Sequence, residues 1–398
     1  MQPGIRDIFR GAKSFALLAL GLCEFVRGSL LFFILPIYAR GVLGLSEEVI
    51  GYAIAAHYLL DTGLRALAGH FVDRFGGRNV LLIALAFAFG GLVTVTKSHH
   101  PIGIILGCAA LGVGMASIWP ATISRVTQGL GEDAYATAMG GVMMAWLLGV
   151  GGGAVVTSWI FSNHVQGGFA TLLALWILAY ALVIIIMGGR AKYQATVKIR
   201  HGIRLLLRDI LDVRLLFPGM FVQTFAMGLL LPVLALYARY ILDLDGRMYS
   251  YLLVAGGSAT VLLQVPMGRL VDKYGYKHFL SPGFVLAALM LAVILRMHNL
   301  TYVFLSVGGL GAGYALILPS WNAVLARSVP EQQRAGMFGV FMTVEGLGMA
   351  IGPLVGMSLW NRLGPEAPFY GAAVILLVMS VFYSFVRLDR VFLHTQNG

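Results

Sequence analysis

Charge is scarce in this chain. Only 11% of its 398 residues are Asp, Glu, Lys or Arg, against roughly 25% in an ordinary soluble domain. With 59% hydrophobic residues, a water-soluble fold would lack the polar surface to cover itself, so a polytopic membrane protein is the first expectation. Cysteine is scarcer still. Cys23 and Cys108 both lie inside apolar runs, which suits packing residues and argues against a disulfide framework or a metal set. There is no Walker-type phosphate loop, no metal-spaced His/Cys group and no Gly-x-Ser-x-Gly elbow. The sequence therefore offers no enzyme chemistry and implies no cofactor. The run from Ser14 is too long for a signal-peptide core and lacks a small-residue cleavage site, so a first span is expected there and not a cleavable leader.

What is present is a series of long apolar segments. A helix needs about 20 mostly apolar residues to cross a bilayer. Twelve segments qualify: 14–39, 47–69, 79–96, 102–125, 134–161, 168–188, 214–239, 247–269, 279–297, 301–324, 335–360 and 367–387. With both ends on one side, 20 of the 28 Lys and Arg fall on the terminal side, six fall opposite, and Arg27 and Arg65 lie within spans. Bases collect in cytoplasmic loops, so both termini are expected in the cytoplasm. The formal charge of +11 then points to anionic headgroups and away from nucleic acid. The longest polar stretch, 189–213 ("GRAKYQATVKIRHGIRLLLRDILDV"), reads as an amphipathic cytoplasmic linker lying on those headgroups.

The two sides of that linker are related. "YAR" at 38–40 recurs at 237–239. "GHFVDRFGGRNVL" at 69–81 recurs as "GRLVDKYGYKHFL" at 268–280, and "LGVGMASIWPATI" at 111–123 recurs as "LGAGYALILPSWN" at 310–322. All three pairs are displaced by 199 residues with no gap. The expectation is an all-α membrane protein of two six-helix bundles, 1–188 and 214–398, related by a parallel repeat.

The repeated loop resembles that of the major facilitator superfamily, which reads Gly-x-x-x-Asp-Arg-x-Gly-x-Arg between helices 2 and 3. Gly69, Asp73, Arg74, Gly76 and Arg78 fit it, and Gly268, Asp272, Lys273, Gly275 and Lys277 fit it again. The resemblance implies a secondary transporter in which this loop latches one state and binds no substrate. "GLGMAIGPLVG" from Gly346 is similar to the Gly-x-x-x-Gly-Pro-x-x-Gly motif that family antiporters carry on helix 5. Helix 5 here has only "GVGGGA" at 149–154, so the motif speaks mainly for close helix packing.

Acids are rarest of all in the interior of the spans, away from their first turns: Glu24, Asp61 and Glu345. Each charge at membrane depth costs at least about 2.5–3.5 kcal/mol and needs a partner or a wet cavity. At about 1.5 Å of rise per residue, Glu24, Arg27, His57 and Asp61 fall in one layer near mid-membrane. His57, Asp61 and Arg65 share one face of the second span, as Glu24 and Arg27 share one of the first. Trp119 and Trp146 are placed to line the same pocket. The 199-residue offset supplies a control: the counterparts of Glu24, Arg27, His57, Asp61 and Arg65 are Gln223, Ala226, Gly256, Thr260 and Gln264. The scaffold does not require the charges. Two readings remain. Either the pairs merely tie two helices together, or Asp61 and Glu24, aided by His57, exchange protons beside a substrate held by Arg27, Arg65 and the tryptophans. Glu345, whose counterpart is Trp146, is either a second proton site or a partner of an amide such as Asn322.

A pocket charged in one half, opposite Phe221, Phe225, Tyr314 and Met342 in the other, suits an amphiphile. The pair "EFVRG" and "HYLLD" resembles the proton-coupled glycolipid flippases of lipoteichoic-acid synthesis in Gram-positive bacteria. By that likeness Glu24, Arg27 and Asp61 would handle headgroup and proton, and Trp119 would stack on a sugar. The expected partners are a lipid or other amphiphile, protons and membrane lipids, with the chain a monomer in the cytoplasmic membrane. A multidrug/proton antiporter is the alternative, disfavoured for cations by Arg27 and Arg65. A facilitator-fold receptor would leave the charge asymmetry unexplained.

Overall fold

A computed structural model describes residues 11–128, 132–186, 214–297, 299–328 and 334–386. Twelve long helices and no strand occur among them. Helix α1 runs Ala12–Ser29, passes through a five-residue π turn at Leu30–Ile34, and continues as Leu35–Gly41. Then follow α2 (Glu47–Phe75), α3 (Gly77–Lys97), α4 (Pro101–Met115, resuming as Ile118–Thr127), α5 (Glu132–Ile160) and α6 (Val165–Ile186). The second series is α7 (Phe217–Tyr240), α8 (Gly246–Tyr274), α9 (Lys277–Ile294), α10 (Leu300–Ser328), α11 (Arg334–Leu363) and α12 (Ala367–Phe385). Eleven of the twelve are long and apolar enough to cross a membrane; α2, with its internal charges, is the exception.

The local sequence explains the boundaries. Ser46 precedes α2 in an extended conformation, and Glu47 and Glu48 fill the first turn, where the helix dipole favours acids. Gly76, at φ 83°, ends α2 in a conformation open to glycine. Gly275, at φ 85°, does the same after α8. The gap in α4 precedes Pro120, which has no amide for the Ala116 carbonyl. That gap turns the segment carrying Trp119.

The described chain divides into two compact units, Met1–Val197 with Leu234–Ser250, and Lys198–Val233 with Tyr251–Gly398. Corresponding helices within each are spaced alike. A methyl group at Gly112 would strike the His57 carbonyl, and one at Gly311 would strike that of Gly256. Gly114 meets Ala84 and Ala88, as Gly313 meets Gly283 and Ala287. The turn after α1 is closed by Val42 and Leu43 donating to the Tyr38 carbonyl at 3.0 Å; Ile241 and Leu242 donate to Tyr237 at 3.0 Å after α7. The 199-residue repeat is thus a repeat of backbone geometry. The linker 189–213 lies outside the described residues, as does the side chain of Asp73.

One contact in the first unit follows from a proline. In an α-helix the Phe32 carbonyl would receive the amide of residue 36, which is Pro36. The Tyr249 hydroxyl, in the first turn of α8, donates to that carbonyl at 3.2 Å, and its ring stacks on Phe33.

Candidate functional site

The charges of α1 and α2 meet in the interior of the first unit. Arg27 pairs with Glu24 one turn below it on α1 and reaches across to Asp61 on α2, with Nη1 3.3 Å from Oδ2. Arg65, one turn along α2, donates to the same Asp61 oxygen at 2.8 Å. From α4, the Trp119 indole donates to Glu24 Oε1 at 2.9 Å. Three helices thus support one chain of contacts, Trp119–Glu24–Arg27–Asp61–Arg65. Glu24 is fully buried, Asp61 is 1% exposed and Arg27 5%. The Arg65 side chain, at 22%, is the one that reaches outward.

Glycines make the approach possible. Gly149 and Gly153 of α5 lie against the backbone of α1 at Gly21 and Phe25, and Gly28 of α1 lies against Val150. Gly348 and Gly352 of α11 meet Phe221 and Phe225 of α7 in the same way. Both glycine runs are therefore helix contacts, the weaker "GVGGGA" as much as the fuller motif. Beside Glu24 the Trp119 and Trp146 rings meet edge to face, with centroids 6.4 Å apart.

Besides the guanidinium Nε atoms of Arg27 and Arg65, Asp61 and His57 in the cluster stay open among the described residues. Asp61 spends Oδ2 on both guanidinium groups, while Oδ1 has no hydrogen-bond partner among the described residues. His57 is fully buried and approaches the backbone of Cys108 on α4, yet neither ring nitrogen completes a well-formed hydrogen bond. Buried polar atoms are rarely left this way. The arrangement can take up a proton or a hydroxyl donor without first breaking an ion pair.

The other predicted residues lie elsewhere. Glu345 is half-buried on α11, in the second unit, and the side chain of its suggested partner Asn322 is outside the described residues. Gly69 and Gly268 pack against Pro120 and Pro319. Arg74, Arg78, Asp272 and Lys273 are exposed, with Arg74 over the Phe75 ring and Lys273 over Tyr274. Three residues of the layer escaped sequence reasoning. Tyr58 carries its ring under Arg27, 5.7 Å from the guanidinium carbon. Thr157 of α5 donates to Ser29 of α1 at 2.7 Å, both buried. The repeat held the signal, since their counterparts are Gly257, Gly356 and Gly228.

A helical bundle with this duplicated loop and one charged half defines a secondary transporter, and the comparisons agree. The profile of the Major Facilitator Superfamily matches residues 17–215 and again 216–397, so the chain belongs to that superfamily and is a multi-pass membrane protein. It is 28% identical to the proton-coupled antiporter flippase LtaA of Staphylococcus aureus, across 96% of this chain and 97% of that protein. It is 27% identical to the flippase of the same name from Staphylococcus saprophyticus, across 98% and 99%. Among solved structures it is similar to the nucleoside transporter NupG (D323A mutant), with a TM-score of 0.74 at 15% identity, over 96% of this chain and 100% of that one. It is also similar to the human organic anion transporter MFSD10, at 0.66 and 16%, with the same coverage. At such identities the structural likenesses speak for the fold alone.

Proposed function

We propose that this protein is a proton-coupled flippase that moves an amphiphilic lipid or glycolipid across the cytoplasmic membrane in exchange for protons. The observation that carries the reading is the open Oδ1 of Asp61 within a buried set of two acids and two bases. Asp61 is the proton-coupling group, with Glu24 and His57 assisting. While Asp61 is charged, Arg27 and Arg65 are held on it. A proton on Oδ1 weakens both contacts and leaves the layer one positive charge in excess, which favours a headgroup rich in hydroxyl or phosphate oxygens. Departure of that headgroup lets the guanidinium groups return and expel the proton. Arg27, Arg65, Glu24, Trp119 and Trp146 hold the headgroup, and Glu345 adds a second polar point in the other half. The names of the staphylococcal relatives support this substrate class and this coupling.

The same proposal takes α2 as a twelfth span, puts both termini in the cytoplasm and treats 1–188 and 214–398 as the bundles that alternate access. The linker 189–213 rests on headgroups. Gly69, Asp73, Arg74, Gly76 and Arg78, with Gly268, Asp272 and Lys273, act as latches. The chain works as a monomer, uses no cofactor, and carries out transport without catalysis.

Proteoliposomes holding a fluorescent glycolipid test the proposal. Translocation should accelerate under an imposed pH gradient, and Asp61→Asn should abolish the acceleration. Gradient-insensitive movement in the unaltered protein defeats proton coupling. Preferential transport of lipophilic dyes over glycolipid favours a drug antiporter.

A further inference from the structure

We infer that Tyr58 is a positioning residue: its ring holds the Arg27 guanidinium in the one place where it bridges Glu24 and Asp61. The inference rests on the proposed coupling role of that layer. Arg27 is the only base of the cluster that touches both acids. A long side chain with a partner on each of two helices has two places to settle, on Glu24 alone or on Asp61 alone. Its Nε has no hydrogen-bond partner among the described residues, so hydrogen bonds do not fix the whole group. The Tyr58 ring supplies the missing constraint. It lies 5.7 Å from the guanidinium carbon, within cation–π range, and is itself 93% hidden from solvent, its exposure being 7%. The His57 ring braces it edge-on, with centroids 5.1 Å apart and planes at 86°.

The second half shows that packing does not demand an aromatic ring at this position. Where α2 has His57–Tyr58, α8 has Gly256–Gly257, with open space around Gly257. The adjacent carbonyl contact is nevertheless preserved, His57 with Gly112 and Gly256 with Gly311. Tyr58 therefore accompanies the charges and is absent where they are absent. The charged groups that reach it are Arg27, Glu24, Asp61 and Arg65, and the ring of His57 adjoins it. A flat aromatic face suits the planar guanidinium and leaves its edges free for the two carboxylates. The hydroxyl plays no part in this role, so phenylalanine should serve equally well.

Two measurements test the inference. In proteoliposomes, the ratio of glycolipid translocation with a pH gradient to that without should fall at least about threefold in Tyr58→Leu, and should be retained in Tyr58→Phe. In detergent, a thermal-melting cycle should show that Tyr58→Leu lowers the melting temperature when Arg27 is present and does so much less beside Arg27→Met. Equal melting shifts in both backgrounds overturn the inference, as does an unaltered ratio in Tyr58→Leu. Should Tyr58→Leu fail to fold, Tyr58→Phe decides alone: a lost ratio overturns the role of the ring, and a retained one supports it. A protein whose unaltered form ignores the gradient refutes the proposed function, and the melting cycle still reports whether Tyr58 holds Arg27.

Discussion

Helices α2 and α8 occupy the same place in the repeat and are packed by the same glycine contacts, yet they carry opposite interiors. Along one face α2 presents His57, Asp61 and Arg65, with Tyr58 beside them; α8 presents Gly256, Thr260 and Gln264, with Gly257. The Thr260 hydroxyl is satisfied by neutral backbone, donating to the Gly256 carbonyl of its own helix and to the Gly311 carbonyl of α10 at 3.0 Å each. Asp61 is satisfied only by bases, one of them from another helix. What α8 settles with neutral carbonyls, α2 settles only with charged partners. The fold therefore tolerates this layer without requiring it, and its electrostatic cost has to be offset by function.

The largest effect expected from breaking this contrast is at Asp61. Asp61→Asn removes the anion that the buried Arg27 and the partly exposed Arg65 share, a loss of up to about 3–5 kcal/mol for a broken buried pair, with Arg27 keeping Glu24. Thermal melting in detergent should register it, together with the lost gradient response. Thr260→Ala, its mirror in α8, removes only hydrogen bonds to neutral backbone carbonyls, worth about 1 kcal/mol. Equal losses at the two sites would erase the distinction. Next come the glycines. Gly112→Val and Gly311→Val each push a side chain into a neighbouring carbonyl, and each should destabilise by about 1–3 kcal/mol. Here the two halves should respond alike in melting, because the backbone contact is shared. The smallest effect concerns the half-exposed Arg40, which pairs with Glu47 at 2.7 Å and covers the Tyr240 ring at 4.3 Å. Arg40→Gln should cost no more than about 1 kcal/mol, and less in high salt.

Much of this was legible in the sequence. The gapless offset between "GHFVDRFGG" and "GRLVDKYGY" disclosed the duplication because a repeat of backbone contacts restricts the same small residues twice. The spacing of Glu24 with Arg27 and of Asp61 with Arg65 disclosed the faces, because helical periodicity is fixed. Depth, estimated from rise per residue, brought the two faces into one layer. Tyr58 was legible only through its glycine counterpart in the repeat, since a tyrosine in an apolar segment otherwise looks like core until its neighbour is known. Trp119 was expected as a stacking surface. Its indole N–H is engaged with Glu24, a detail that depends on the turn in α4 before Pro120. The π turn in α1 had no signal either, because Leu30–Ile34 is composed of residues equally at home in a regular helix.

The Pro36 contact carries a further consequence. Tyr249 behaves toward α1 as a tethered ligand, held at high effective concentration by its own helix. Water would be its competitor for the Phe32 carbonyl, which lies in the middle of the π turn, just beyond Ser29 and Arg27. Removing that donor by Tyr249→Phe exposes α1 to hydration at this point. Amide exchange near Phe33 should accelerate about fivefold for each 1 kcal/mol of hydrogen bonding withdrawn. Proline thus gives an apolar span one addressable oxygen, and a neighbouring helix determines when solvent can reach it.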